Sequence, residues 1–363
     1  MTKEEWLAIG YDKRIIEDLP DESCVSFMAV YKQWFVMKMH KIKADSLDRI
    51  EVTYNRYYRG AALVEMPVHL IDKDVVCAFL NSVIVNNSIN QKEFGRIWQI
   101  VNNVLVYAHD MSVGYAQLID WGFVKRYVYN CDIVKNERIE YMIPDSDRRI
   151  LFHAVLVDNI YPLKRSACLL LLMNFYLGLR IGELASLKFC DFDINNKVVK
   201  IYKTEIKYFP RDNAGERAGS IVYDVIEDVK TRTSFRVMPL TDECISIYKM
   251  ICAHHKEKGY SSEFLCYDGA DTIMTRSLER TLTRLCELLG ISHINSHKIR
   301  KTFASLLHVN GVPTRVITDL CGHSDMETTE KCYILNYEAG YSAYMGRISY
   351  ALSNEVVKEI DND

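Results

Sequence analysis

No C-x-x-C pair occurs in this chain, although it carries 11 cysteines among 363 residues. Histidine and cysteine do not cluster at metal-ligand spacing either, so no zinc site is expected and no metal is assigned. The longest apolar run, Ala167 to Met173, is far too short to span a bilayer. The opening MTKEEWLAIG is acidic and lacks an apolar h-region, so it does not read as a secretory signal. Scattered cysteines in odd number, without such a signal, are expected to be reduced and mostly buried thiols of a cytoplasmic protein with no membrane association. Internal repeats and low-complexity segments are also lacking. So are a P-loop and a carboxylate metal cluster, and no cofactor is expected.

A basic excess is missing as well. Lys and Arg number 45 against 48 Asp and Glu, a formal charge of −3. The distribution matters more than the sum. Residues 1–24 carry three basic and seven acidic groups, and residues 351–363 carry one Lys against four acids. The ends therefore hold −4 and −3, which leaves +4 on the interior, residues 25–350. Binding to a polyanion responds to local basic patches more than to total charge.

What is present is an apolar fraction of 49%, ample for a core, in a chain long enough for two or three domains. From Val25 to about Met39 the pattern is helical, with His40, Lys41 and Lys43 as a basic exit. Ser46 is the expected cap of a second helix that puts Ile50, Tyr54 and Tyr57 on one face, with Arg49, Arg56 and Arg59 nearby and Gly60 at its end. Further helices are expected over 72–85 and 91–109. An N-terminal segment 1–24, an all-helical unit 25–130 and a polar linker 131–143 follow from this reading. A second unit, 144–345, opens at Pro144-Asp145-Ser146, and an acidic tail, 346–363, closes the chain. Within the second unit, Cys168–Leu177 reads as an apolar helix stopped by Gly178. The segments VVKIY (198–202), IVYDVI (221–226) and FRVMPL (235–240) read as strands. Residues 204–219 are longer than a hairpin needs and are expected to form a protruding insertion, either a contact surface or inert.

Six residues stand out in this second unit. Arg180 sits in a turn between helices, where a guanidinium fork matches two phosphate oxygens. Glu183 shares its helical face and would orient it; a surface Arg–Glu pair of little consequence is the alternative. Lys230 lies in the turn of VKTRTSFR, with Lys203, Lys207 and Arg232 as competing candidates. His297 and Arg300 are three apart on a helix with Ser296 as its expected cap, so both project to one face near an end that favours anions. His323 follows a glycine. Tyr333 is one of 23 tyrosines, and Tyr337 is its rival.

The strings GLRIGELASL (178–187), VKTRTSFRVMPL (229–240), SHKIRKTFASLLHVNG (296–311) and LCGHSDMETTEKCYI (320–334) resemble the tyrosine recombinase, or phage integrase, family. Its motif is Arg, Lys, His-x-x-Arg, His, Tyr in this order. The departures are Lys298, where aspartate or an apolar residue is usual, and Ile334-Leu335 after the tyrosine; neither removes a catalytic group. The resemblance implies an all-α core-binding domain followed by a mixed α+β catalytic domain with a small antiparallel sheet. It implies Arg180, Lys230, His297, Arg300, His323 and Tyr333 as the catalytic set, with Lys41, Lys43, Arg49, Arg56 and Arg59 facing DNA. It also implies double-stranded DNA as partner, a homo-tetramer on paired sites, and accessory DNA-bending proteins. The strings look most like integrases of mobile elements. The segment YEAGYSAYMGRISYAL (337–352) suits docking as a helix on a neighbouring copy or packing on its own.

The chemistry of the set is coherent. A phosphodiester repels a nucleophile through its own charge, and Arg180 and Arg300 would neutralise the non-bridging oxygens; removing one such donor costs about 10²–10³ in rate. A phenol with a pKa near 10 is ionised to roughly one part in a thousand at pH 7, so it needs a base or a strong positive field. His297 is the candidate base, His323 a donor to a non-bridging oxygen, and Lys230 the acid for the leaving 5′-oxygen. The product would be a 3′-phosphotyrosyl ester and a free 5′-hydroxyl, and the conserved ester needs neither ATP nor metal. Two other readings remain: a type IB topoisomerase, which shares this chemistry but relaxes DNA without site preference, and a non-catalytic DNA-binding relative.

Overall fold

The computed structural model describes residues 25–113, 116–129, 142–227, 235–269 and 275–323. Lys230, Arg232, Tyr333 and Tyr337, with both acidic ends, lie outside the described residues. The chain divides into two units. The first comprises Met1–Arg138 together with Lys207–Val222, and the second Ile139–Ile206 with Tyr223–Asp363. The expected block 144–345 is therefore not continuous, because residues 207–222 group with the N-terminal unit.

The described part of the first unit is helical: α1 (Phe27–Met39), α2 (Ala44–Tyr57), the single-turn α3 (Ala62–Glu65), α4 (Lys73–Asn86), α5 (Gln91–Asp110) and α6 (Trp121–Tyr127). Side-chain caps start most of them. Asp72 accepts from the Val75 amide, Asn90 from Glu93 and Asp120 from Phe123, which satisfies amides that have no partner inside the helix. Ser46 is not a cap. Helix α2 begins two residues earlier, and the Ser46 amide already bonds the Lys43 carbonyl at 3.0 Å. The core is aromatic. Tyr31 and Tyr54 stack at 3.7 Å, and Tyr54 stacks on Tyr58 at 5.5 Å. The buried Tyr58 hydroxyl donates to the Ile97 carbonyl at 2.6 Å and accepts the Val101 amide at 3.2 Å, so a polar group at the centre is fully paired.

Residues 207–222 are pinned to α2 and do not protrude. Arg211 donates to Asp48 at 2.5 Å and to Glu51 at 2.9 Å, and Arg217 donates to Glu51 at 2.8 Å. The Arg211 guanidinium lies over the Phe35 ring, and that of Arg217 over Phe209. Burial alone would raise the Glu51 carboxyl, but the two arginines hold it below its ordinary value.

The second unit is built around α8 (Arg165–Leu177), buried almost throughout because its sequence, RSACLLLLMNFYL, is apolar on every face. Around it lie α7 (Asp145–Leu156), the short α9 (Ile181–Ala185), α10 (Asp242–Lys258), α11 (Thr275–Leu289), α12 (Ser296–Val309) and α13 (Thr314–Cys321). Strands β1 (Phe192–Asp193), β2 (Val198–Ile201) and β5 (Arg236–Pro239) form an antiparallel sheet in the order β1-β2-β5, with Ile201 opposite Arg236. Strands β3 (Lys203–Tyr208) and β4 (Val222–Glu227) pair in a second sheet. This is the expected mixed α+β architecture with a small antiparallel sheet.

Candidate active site

Three element ends near the site are set by a glycine or a side-chain cap. Helix α8 stops at Gly178, whose φ of 59° is left-handed. A β-carbon there would also meet the Phe303 ring at 2.2 Å, so conformation and space both require glycine. The buried Asn174 braces the turn that follows: it accepts the Leu179 amide at 2.7 Å and donates to the Leu179 carbonyl at 3.2 Å. This rigid turn delivers Arg180 as the N-cap of α9. Helix α12 starts at Ser296, but its cap is Asn295, which accepts the Lys298 amide at 2.7 Å. Ser296 instead donates to Glu279.

Helix α13 ends at Gly322, again left-handed with a φ of 62°. The His323 amide bonds the Thr318 carbonyl at 3.1 Å and the Gly322 amide bonds the Asp319 carbonyl at 3.0 Å, a Schellman closure. Three carbonyls remain at this end, and each accepts from an arginine of a different element. Leu320 accepts from Nε of Arg236 on β5 at 2.8 Å, Cys321 from Arg300 on α12, and Gly322 from Nη2 of Arg180 at 2.7 Å. A helix C-terminus carries partial negative charge and unpaired acceptors, so it gathers cations. Arg300 also donates to the Gly178 carbonyl at 2.8 Å, tying the two glycine turns together.

Glu183 links two of the arginines. Arg180 donates to it from Nη1 and from its own backbone amide, both at 3.0 Å. Arg236 grips it with both terminal nitrogens, at 3.1 and 2.7 Å. Burial would raise the Glu183 carboxyl, but the hydrogen bonds and charge of Arg236, and then those of Arg180, outweigh it and hold the pKa down to about 2. It is thus a fixed anion, and the expectation that Glu183 orients Arg180 matches the geometry.

The Arg180 and Arg300 side chains therefore bond the carbonyls of Gly322 and Cys321, His323 follows them in the chain, and His297 lies one helical turn before Arg300. The Arg180 side chain is 48% exposed, whereas Arg300 is only 3% exposed. His297 is exposed and His323 half-buried. Lys203 drops out as a rival to Lys230, because its ammonium is buried against Asp191 at 2.9 Å. Arg236, Asn174 and the carbonyl row were not singled out from the sequence. The one available signal was that Arg236 is a charged residue at an inward position of a strand.

On the first unit, Lys41, Lys43, Arg49, Arg56 and Arg59 are all exposed. Arg49 pairs with Asp45 at 2.8 Å and Arg56 with Glu93 at 3.1 Å. Arg49 also lines a depression of about 230 Å³ between α2 and α5, together with Arg96, Gln99 and Asn103. No helix among the described residues is long and apolar enough to cross a membrane.

A model of the phage integrase family matches residues 155–339, about half of the chain. The chain is 28% identical over 179 residues to a protein named tyrosine recombinase XerC-like from Caldanaerobacter subterraneus subsp. tengcongensis, covering 45% of this chain and 44% of that protein. It is 27% identical over 183 residues to tyrosine recombinase XerA of Thermococcus kodakarensis, covering 48% and 53%. The chain thus spans about half the length of the curated relatives it matches. Among solved structures, the Tn1549 transposon integrase in complex with circular intermediate DNA superposes with a TM-score of 0.66 at 16% identity, over 89% of this chain and 100% of that one. The XerH site-specific recombinase bound to difH substrate gives 0.57 at 14% identity, over 89% and 97%. At these identities the likeness shows the fold.

Proposed function

Because the chain belongs to the phage integrase family, we propose that it is a site-specific tyrosine recombinase that cuts and rejoins double-stranded DNA through a 3′-phosphotyrosyl intermediate. The observation that carries this reading is the arginine-capped end of α13, which sets Arg180, Arg300 and His323 around one short segment.

Arg180 uses two of its five N–H donors on Glu183 and Gly322, which leaves the others for a phosphate. Arg300 adds positive potential from beneath. His297, exposed at the first turn of α12, takes the phenolic proton, and His323, held by its locked amide, donates to a non-bridging oxygen. Tyr333 is the nucleophile and Lys230 protonates the leaving 5′-hydroxyl. The ester conserves the bond energy, so the reaction runs without ATP or metal.

On the first unit, the α2–α5 face with Arg49, Arg96, Gln99 and Asn103 lies on duplex DNA, and Lys41, Lys43, Arg56 and Arg59 contact phosphates around it. The same proposal includes four copies on paired sites, accessory bending proteins, a mobile-element substrate and action in the cytoplasm.

The test is incubation with nicked suicide duplexes spanning the DNA that flanks the chain's own gene, followed by mapping of the covalent peptide–DNA adduct. An adduct at Tyr333, lost in Tyr333→Phe, is expected. An adduct at Tyr337 would move the nucleophile within the same class. Tight specific binding without an adduct would leave a non-catalytic DNA-binding protein, and relaxation of any plasmid without site preference would make it a topoisomerase.

A further inference from the structure

Between the strand that follows Lys230 and the carbonyl row lies a charged side chain that the chemistry above does not use. Arg236 is 7% exposed on its side chain and spends its whole fork inside the protein: Nε on Leu320, Nη1 and Nη2 on Glu183. We propose that Arg236 is a positioning residue, which aims Arg180 through Glu183 and keeps its positive charge available to the substrate phosphate. This rests on the recombinase reading above.

Glu183 alone beside Arg180 would cancel the charge that a phosphate must meet. With Arg236 on the other side of the carboxylate, the trio Arg180–Glu183–Arg236 carries a net +1. The only half-exposed member of that trio is Arg180, so the surplus charge points to solvent. Geometry acts in the same sense. A fork on both carboxylate oxygens fixes the plane of Glu183, which then accepts from both the backbone and the side chain of Arg180. The Leu320 bond ties the same guanidinium to the carbonyl row that seats Arg180 and Arg300.

Removal of Arg236 leaves a buried carboxylate with Arg180 as its only ion-pair partner among the described residues. Around this helix end, Arg300 bonds the Cys321 carbonyl, His323 follows Gly322 and Asp319 pairs with Arg315, while Lys203 pairs with Asp191. Burial then dominates, Glu183 takes up a proton more readily, and a neutral carboxyl holds Arg180 loosely.

The experiment is single-turnover adduct formation by the full chain on the nicked suicide duplex, from pH 5 to 9, with duplex affinity and thermal unfolding measured on the same samples. Arg236→Gln is expected to bind the duplex nearly as wild type but to form adduct about 10²-fold more slowly. Glu183 stays ionised through this range in wild type, so a carboxyl freed to take up a proton should make the rate deficit of Arg236→Gln grow as pH falls from 7 to 5. Arg236→Lys keeps the charge without the fork and should recover part of the rate; it carries the test if Arg236→Gln does not fold. In the double variant Glu183→Gln/Arg236→Gln this pH dependence of the deficit should vanish, which separates Glu183 from His297 and His323.

Folded Arg236 variants that cleave at the wild-type rate overturn the proposal. So does a rate loss of the same factor at every pH, because a structural role alone gives that result. In either case the wild-type adduct at Tyr333 leaves the recombinase reading standing. Wild type without any adduct sinks that reading and this role together.

Discussion

At the scale of single residues, the site depends on positions where chemistry admits one side chain. Gly178 combines a left-handed backbone with contact against Phe303, and its carbonyl holds Arg300. A β-carbon in the left-handed region costs about 1–2 kcal/mol, and overpacking adds about 1–3 kcal/mol. Gly178→Ala should therefore lower stability in urea titrations and slow adduct formation together. Glu183 gives a pH prediction. Its pKa falls from an ordinary 4.5 to about 2 on folding, so the unfolded chain binds the proton more tightly. The stabilisation is fully present above about pH 4.5 and is lost as pH falls through about 2. Its size is on the order of 3 kcal/mol, at about 1.36 kcal/mol per pKa unit. Glu183→Gln should flatten that part of the stability–pH curve between pH 5 and 2; an unchanged slope would show that other carboxyls carry it.

At the scale of elements, two ends matter most. The Schellman closure of α13 sets where His323 begins, and Gly322 makes it possible. Gly322→Ala should cost about 1–2 kcal/mol through its left-handed φ. Because it disturbs the carbonyl row, the adduct rate should fall by more than that stability loss explains. On the first unit, α5 carries Arg96, Gln99 and Asn103 within one narrow stripe beside Arg49 of α2. Arginine suits guanine and phosphate, whereas glutamine and asparagine suit adenine edges. Binding measured across a salt series separates the two kinds of contact. Arg96→Ala should weaken binding and reduce the salt slope by about one if it neutralises a phosphate. Gln99→Ala should weaken binding with the slope unchanged. Equal affinity for both variants and wild type would remove this face from the DNA contact. Asn90, Asp72 and Asp120 are usable signals, but Ser46 and Ser296 misled, because Ser46 already lies inside α2 and Asn295 holds the cap of α12.

At the scale of the whole molecule, chain order and spatial grouping part company at residues 207–222, which group with the helices that precede the second unit. Arg211→Ala would leave Asp48 and Glu51 without their main buried partner. Breaking a buried pair on one side typically costs about 3–5 kcal/mol, and the partial exposure of these carboxylates places this one at the low end. Limited proteolysis should then cut within 209–219, where wild type resists; continued resistance would show that Arg217 and the ring contacts suffice. Much of the architecture was legible beforehand. Helical periodicity located α1, α2, α4 and α5 to within a few residues, the β-branched runs located β2 and β4, and the His-x-x-R string located α12. These are local signals, each contained in one stretch of chain.

What the sequence by itself determined is the inventory: which groups exist, in what order, and which side chains share a helix face, since those follow from backbone periods of a few residues. Only the tertiary structure decided that three arginines from α9, β5 and α12 meet three successive carbonyls at one helix end, that Glu183 lies between two of them, and that Lys203 is spent on Asp191. The physical reason is that a carbonyl carries no residue identity. Any residue offers the same acceptor, so the partner of a buried guanidinium is fixed by where the chain turns and what burial forces together.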